Sequence, residues 1–203
     1  MNQIALPLDW PEEKMVDIIL SDSNAQVARH FDRWTSWPVM AALLTGPRKS
    51  GRTRFAAHFA LRTGGRLIDN AETQSEEMIF HAWNAAQESR KPLVIVAAAP
   101  PPVWKIRLPD LASRLAATPA VSIGHPDDAL IAQLIERQLG QRGLAAQPDL
   151  LAFVLARVER DYIAVHRVID ALDQAALTKR CRLSVPLARE ALRGILRSEI
   201  GDR

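Results

Sequence analysis

The chain has 203 residues, of which 48% are hydrophobic and 24% charged, with one cysteine and a formal net charge of +3. This composition excludes an intrinsically disordered chain, and the single cysteine, Cys181, excludes an internal disulfide and indicates a reducing compartment. The longest apolar run, 93–99, is far shorter than the ~20 residues that span a bilayer, and the first residues lack the basic start of a signal peptide. We therefore expect a cytoplasmic protein with no membrane partner, whose mild basic charge does not by itself predict nucleic-acid binding.

Residues 1–14 are predicted to form an extended arm, since Pro7 and Pro11 interrupt any helix there. The arm contains the segment QIALPL, which carries one glutamine and two leucines. An extended peptide of this kind can fill an apolar pocket on a partner protein. The alternative is a frayed chain end that binds nothing.

Residues 15–125 alternate between helix-like and strand-like patterns. The predicted helices cover 24–34, 53–61 and 75–89, and the predicted buried strands cover 39–45, 66–69 and 93–98. Ser21, Asp22 or Ser23 is expected to cap the first helix, and Ser75 the third. Alternation of this kind is typical of an α/β layer with a mainly parallel sheet.

Residues 126–203 have helical patterns almost throughout. The predicted helices cover 127–142, 148–157, 161–179 and 186–197, with Ser184 as the expected cap of the last one. A short strand over 182–185 is the one exception that the pattern leaves open. We therefore predict a boundary near residue 125, between an α/β base and a small all-helical domain.

A phosphate-loop motif follows the first predicted strand. Its residues are Gly46, Pro47, Arg48, Lys49, Ser50, Gly51, Arg52 and Thr53, which fit G-x-x-x-x-G-K-[ST] with arginine in place of lysine. The glycines let backbone N–H groups surround a phosphate, and the following helix directs its positive end there. Thr53 offers a hydroxyl to Mg²⁺, while Arg52 keeps the charge of the lysine but not its shape. The alternative is a polar glycine turn, but a strand before it and a helix after it favour nucleotide binding.

Two further segments carry candidate functional residues. Asp69, at the end of a predicted strand, can bind Mg²⁺ beside a phosphate loop, whereas Asn70 cannot act as a general base. The alternative here is an ordinary Asp-Asn turn. In LPDLASRL, Arg114, with Arg107 just before the segment, can stabilise phosphoryl transfer in a neighbouring subunit; the alternative is a solvated surface arginine.

Taken together, GPRKSGRT, IDNAE, LPDLASRL, QIALPL and the helical carboxyl-terminal part resemble the Hda family, the DnaA-related AAA+ regulators that inactivate the replication initiator DnaA. The resemblance implies a P-loop AAA+ base with a mainly parallel sheet and a small helical lid. It implies binding of ADP, with ATP, Mg²⁺ and an empty site left open. It also implies that Arg114 acts in trans as an arginine finger on the ATP held by DnaA. The arm residues implied to bind the DNA sliding clamp, and DNA only through it, are Gln3, Leu6, Pro7 and Leu8.

The chain departs from the family pattern at three places. Asp69 lies only sixteen positions after Thr53, which leaves room for one helix and one strand, so we expect a sheet one strand short. Residues 97–99 are alanines where a polar residue senses the γ-phosphate. Ile163 stands where the lid carries a nucleotide-sensing arginine, and Arg160, one turn earlier, is the candidate substitute. These departures predict little ATPase activity of the chain's own.

The leading interpretation is a negative regulator of replication initiation that binds the clamp and activates DnaA in trans. One alternative is an autonomous ATPase of the loader or remodeller type, using Arg52, Thr53 and Asp69. Another is a nucleotide-free scaffold on the clamp or on DnaA. The sequence also leaves open whether copies associate head to tail or as a symmetric dimer through the arm.

Overall fold

The computed structural model describes residues 18–198, in which four strands and eight α-helices follow one another. The strands are β1 Ala41–Thr45, β2 Arg66–Ile68, β3 Leu93–Val96 and β4 Ala120–Ser122. The first four helices are α1 Ala25–Asp32, α2 Arg52–Thr63, α3 Glu76–Ser89 and α4 Pro109–Ala117. The remaining helices are α5 Asp128–Gln141, α6 Pro148–Leu155, α7 Tyr162–Lys179 and α8 Val185–Ser198. The predicted arm lies outside the described residues.

The four strands form one sheet in the order β2-β3-β1-β4, and all three pairings are parallel. Every residue of β1 and β3 is buried, because helices cover both faces of the sheet and continuous apolar strands suit that position. Leu43 and Ile95, paired across β1 and β3, face one side, and their neighbours Leu44 and Val96 face the other. The predicted mainly parallel sheet is confirmed.

The connection from α2 to β2 is too short for another strand. Gly64, in the left-handed conformation at φ +65°, ends α2, and β2 begins two residues later. A side chain at Gly65 would come within 2.4 Å of the backbone oxygen of Pro92, so the chain turns here in close contact with its neighbour. β2 lies at an edge of the sheet, which has four strands in the described range 18–198, in agreement with the expected narrow sheet.

Two helical layers sandwich the sheet. On one side, α1 and α2 bring together an aromatic cluster in which the rings of Phe31 and Trp37 lie 4.6 and 5.4 Å from that of Phe59. On the other side, Ile79 of α3 and Leu111 of α4 pack against the sheet. These layers fix the strand ends, where the candidate site residues lie.

Helices α5 to α8 form a second hydrophobic core of their own. Tyr162, the first residue of α7, leaves that core and packs into the base beside α1 and α2. Its hydroxyl donates a hydrogen bond to the carbonyl of Gly124, at 3.2 Å. The lid is thus joined to the base near the predicted boundary, whose position stays a prediction; β4 ends at Ser122 and α5 begins at Asp128. No helix in the described range 18–198 is long and apolar enough to cross a membrane.

The predicted helices and the first three strands are present, with ends shifted by a few residues, and Ser75 caps α3 as expected. The predicted cap of α1 is wrong. Asn24 holds that position, because its buried side chain accepts from the N–H of Ser21 and donates to the carbonyl of Ile19.

The strand predicted over 182–185 is also wrong. Residues 182–184 are irregular and Val185 already begins α8, where Ser184 accepts from the N–H of Leu187 at 3.5 Å, a long contact. Sequence reasoning missed β4, which is only three residues long, and α4, which begins at a proline.

We expect Gly65→Ala to lower the free energy of unfolding by about 1–3 kcal/mol, because the new methyl group would displace the Pro92 carbonyl that pairs with Arg66. Gly140→Ala is the matched control. It meets no atom within 4 Å and should raise the stability by about 0.5–1 kcal/mol through helix propensity. Urea unfolding followed by circular dichroism measures both. Equal effects of the two substitutions would contradict the tight α2–β2 turn.

Candidate nucleotide site

The phosphate loop lies between β1 and α2, in the strand–loop–helix setting that the motif requires. Three of its residues have positive φ: Gly46 at +144°, Lys49 at +65° and Gly51 at +90°. Glycine is needed at 46, because a side chain there would come within 2.8 Å of the Ile123 carbonyl oxygen. The loop therefore curls at the amino-terminal end of α2, where the helix dipole favours an anion.

Ser50 is the least satisfied residue of this loop. It is only 9% exposed, and its hydroxyl has no hydrogen-bond partner within the described part of the chain. A buried hydroxyl without a partner costs about 1–3 kcal/mol. An oxygen-rich ligand in the loop would remove that cost by accepting from the Ser50 hydroxyl.

Arg52 and Thr53, at the start of α2, each reach across to a different strand end. The Arg52 guanidinium donates a hydrogen bond to the carbonyl of Ala97, directly after β3. The Thr53 hydroxyl donates to Oδ2 of Asp69, at 3.0 Å, directly after β2. The structure thus brings the predicted loop and the predicted acidic residue together.

The oxygens of Thr53 and Asp69 are of the kind that Mg²⁺ prefers. Residues 18–198 contain no group of three or more His, Cys, Asp or Glu side chains that could hold a metal. The donor set therefore fits a Mg²⁺ that takes its other ligands from phosphate and water, as this ion commonly does.

Sequence reasoning missed Glu72. After β2 the chain turns through Asn70, at φ +47°, into a short 3₁₀ segment, and Glu72 Oε1 accepts from the N–H of Ala98 at 3.0 Å. The alanines 97–99 provide no polar side chain of their own, but a carboxylate from the neighbouring strand end lies against them. The sequence offered one signal for Glu72, its position three residues after the predicted metal ligand Asp69. The phosphate-loop motif does not include that position.

A cavity of about 450 Å³ separates the phosphate loop from the lid. Its volume lies within the usual range of ligand pockets, roughly 300–1,000 Å³. One part of its wall is apolar, with Ile18 and Ile19 before α1 and Leu130 and Leu134 on α5. The basic side chains along its wall are Lys49, Arg52, Arg54, Arg137 and His166. Since the wall carries cations and no carboxylate, the cavity suits an anion attached to an apolar group.

Arg160, the expected lid contact, does not line this cavity. Its guanidinium lies 2.8 Å from Asp128 and donates to the carbonyls of Leu155 and Val158. These partners hold Arg160 at the turn between α6 and α7, against the start of α5. The α7 residues that do line the cavity are Tyr162 and His166.

His166 is half-buried, and its pKa lies below the ordinary histidine value. Burial is the largest cause, and the positive charge of Lys49 adds to it, while Asp170 acts in the opposite direction. Sequence reasoning missed His166 because it considered only arginines near position 163.

Arg114 lies on α4 and is not part of the wall of the chain's own cavity. Its Nε donates to the side-chain oxygen of Asn84, at 2.9 Å, and its Nη1 donates to the carbonyl of Asp110. The guanidinium lies 4.3 Å from the ring centre of Phe80. It is therefore half-buried and fixed on the surface formed by α3 and α4. Arg107 is exposed, and its contribution there is a backbone N–H donated to Glu76.

The four predicted clamp-binding residues of the arm lie outside the described residues. Residues 127–192 match the family described as the Hda lid domain.

The fold resembles domain III of the replication initiation protein DnaA from Thermotoga maritima, with a TM-score of 0.73 over 88% of this chain and 95% of that one, at 14% identity. AMPPCP-bound DnaA from Aquifex aeolicus matches with a TM-score of 0.60 at 12% identity, over 79% and 65%. The RuvB branch migration motor of Thermotoga maritima matches with 0.63 at 12% identity, over 84% and 67%. The chain thus combines a lid that matches the Hda lid-domain family with an α/β fold similar to that of DnaA domain III.

Proposed function

We propose that this protein is a negative regulator of replication initiation, which binds the DNA sliding clamp through its arm and activates ATP hydrolysis by DnaA through Arg114. The observation that carries the proposal is the position of Arg114, fixed on the outer surface of α3 and α4 and away from its own nucleotide cavity. An arginine held there can serve a nucleotide only on another protein molecule. The Hda-type lid and the DnaA-like fold support DnaA as that protein.

The surroundings of Arg114 suit this role. Asn84 and the ring of Phe80 hold the guanidinium plane in one orientation, so little conformational entropy is lost on contact with a phosphate. In the part of the chain that the structure describes, no group accepts a hydrogen bond from its Nη2. That nitrogen can donate to the charge that develops on the transferred phosphoryl group.

The chain's own cavity is proposed to bind ADP, with ATP as the other candidate, and Mg²⁺ at Thr53 and Asp69. Its cationic wall, the unsatisfied hydroxyl of Ser50 and the AMPPCP bound to a similar DnaA support this proposal. Bound nucleotide would contact both the phosphate loop and the lid, and so hold the two together. Its role here is structural, since Asn70 cannot accept a proton from an attacking water.

A second candidate function is an autonomous ATPase, which Glu72 favours. This carboxylate lies against the end of β3, at Ala98, close to the carbonyl that Arg52 contacts. Glu72 is nevertheless engaged by a backbone N–H and is not part of the cavity wall. Steady hydrolysis by the isolated protein, lost in Asp69→Ala, would favour this candidate over the regulator.

The clamp and DnaA are the proposed protein partners, and contact with DNA is proposed only through the clamp. Self-association, head to tail or as a symmetric dimer, remains an open alternative for the free protein. The nucleotide-free scaffold is the remaining alternative, and nucleotide binding distinguishes it from the regulator.

We expect Arg114→Ala to abolish the stimulation of ATP hydrolysis by DnaA on clamp-loaded DNA. An arginine finger contributes roughly 10³–10⁵ in rate in other phosphoryl-transfer systems, so the loss should approach the unstimulated rate. Single-turnover hydrolysis of ATP preloaded on DnaA measures it. Arg107→Ala is the matched control, because its exposed side chain can be removed without losing the backbone contact to Glu76. Normal stimulation by Arg114→Ala would show that the finger is assigned to the wrong residue.

Replacing both Gln3 and Leu6 with alanine should weaken clamp binding at least tenfold. We expect the Tm to stay unchanged, because the sequence predicts that these residues belong to an extended arm, and such a chain end contributes little to a core. Surface plasmon resonance on immobilised clamp gives the affinity, with Asn2→Ala as the control. Undiminished affinity of the double variant would exclude the arm as the clamp-binding segment.

Saturating ADP should raise the Tm of the isolated protein, since a ligand that binds only the native state stabilises it by ~2.7 kcal/mol at 100 times its dissociation constant. Thr53→Ala should reduce the shift, because it removes the hydroxyl that faces Asp69. A thermal-shift series with ADP, ATP and CDP tests this expectation. No shift at millimolar nucleotide would favour the nucleotide-free scaffold.

A further inference from the structure

His166 is the lid residue whose charge can change within the physiological pH range and which lines the cavity opposite the phosphate loop. It lies on α7 four residues, about one turn, beyond Tyr162, whose side chain packs into the core of the base. Its ring is half-buried, and within residues 18–198 it makes no hydrogen bond. A donor group is therefore available on the lid side of the cavity without the loss of an existing contact.

We propose that His166 binds the phosphate chain of the nucleotide in its protonated form, so that nucleotide binding takes up a proton from solvent. This inference rests on the proposed nucleotide site and adds to it a residue and a pH dependence. The proton comes from the buffer and stays on the imidazole as long as the nucleotide is bound.

The charges around His166 explain why it would be neutral in the empty cavity. Lys49 in the phosphate loop, Arg54 on α2 and Arg142 after α5 all disfavour its protonation, and so does burial. Asp170, one turn later on α7, favours it. The pKa of His166 in the free protein is therefore below the ordinary value of 6.5.

A bound phosphate chain would reverse this balance. Its negative charges face the same wall as Lys49 and Arg54, and they would raise the pKa of His166. His166 then has a higher pKa in the nucleotide-bound protein than in the free protein. The affinity for nucleotide must increase as the pH falls through the interval between these two pKa values. Each unit of difference corresponds to about a tenfold gain in affinity.

A histidine has an advantage over a permanent cation here. An arginine at this position would add a charge to an empty cavity that already has Lys49, Arg52 and Arg54 on its wall. Histidine adds the charge only when the ligand can neutralise it. The lid would then respond to an occupied phosphate loop without repelling it when it is empty.

The test is isothermal titration calorimetry of the full chain with ADP at about pH 6 and about pH 8. The dependence of the binding enthalpy on the ionisation enthalpy of the buffer gives the number of protons taken up. We compare the wild type with His166→Gln, His166→Arg and the matched control His81→Gln, an exposed histidine on α3 that is not part of the cavity wall. Subtracting the proton uptake of His166→Gln from that of the wild type cancels the contribution of protons that ADP itself binds. Circular dichroism melting without nucleotide shows whether each variant is folded.

We expect the wild type and His81→Gln to take up more protons than His166→Gln, and their affinity advantage over it to grow as the pH falls. His166→Arg should bind at pH 8 about as well as the wild type does near pH 6. Equal proton uptake by wild type and His166→Gln, with a constant affinity ratio, would overturn this inference while leaving the nucleotide site intact. Failure of the wild type to bind ADP at either pH would overturn both.

Discussion

Burial of β1 on both faces is the constraint on which the rest of the structure depends. Its five residues are apolar or small enough to be covered by helices on each side, and its two edges pair with β3 and β4. Parallel pairing puts the carboxyl ends of β1, β2 and β3 at one edge of the sheet. The phosphate loop, Asp69 and the Ala97 carbonyl meet there for this reason, and the contacts of Arg52 and Thr53 follow from it.

The lid supplies the second wall of the cavity whose first wall is the phosphate loop of the base. Tyr162 packs in the core of the base although it belongs to a lid helix, and its bond to Gly124 fixes the start of α7. One turn further along the same helix, His166 reaches the cavity wall. The position of one buried tyrosine therefore determines which part of α7 faces the phosphate loop.

Local patterns predicted most of the fold and the glycine-rich half of the candidate site. The phosphate loop is continuous in sequence, and its glycines and flanking elements are visible without tertiary information. Glu72 and His166 are different, because each acts on a segment that is distant along the chain, and a spacing rule cannot reveal such a meeting. For the same reason, the sequence could not show that Arg160 contacts Asp128 and does not line the cavity.

Because β2 lies at the edge of the sheet, the residues that follow it, Asp69 and Glu72, are held less rigidly than the phosphate loop. The phosphate loop follows β1, which is hydrogen-bonded on both sides, whereas Asp69 and Glu72 follow a strand of three residues with one neighbour. Short edge strands open locally at a lower free-energy cost than central ones. The segment that carries Asp69 and Glu72 can thus open transiently while the phosphate loop keeps its shape, so we expect amide hydrogens to exchange faster in β2 than in β1.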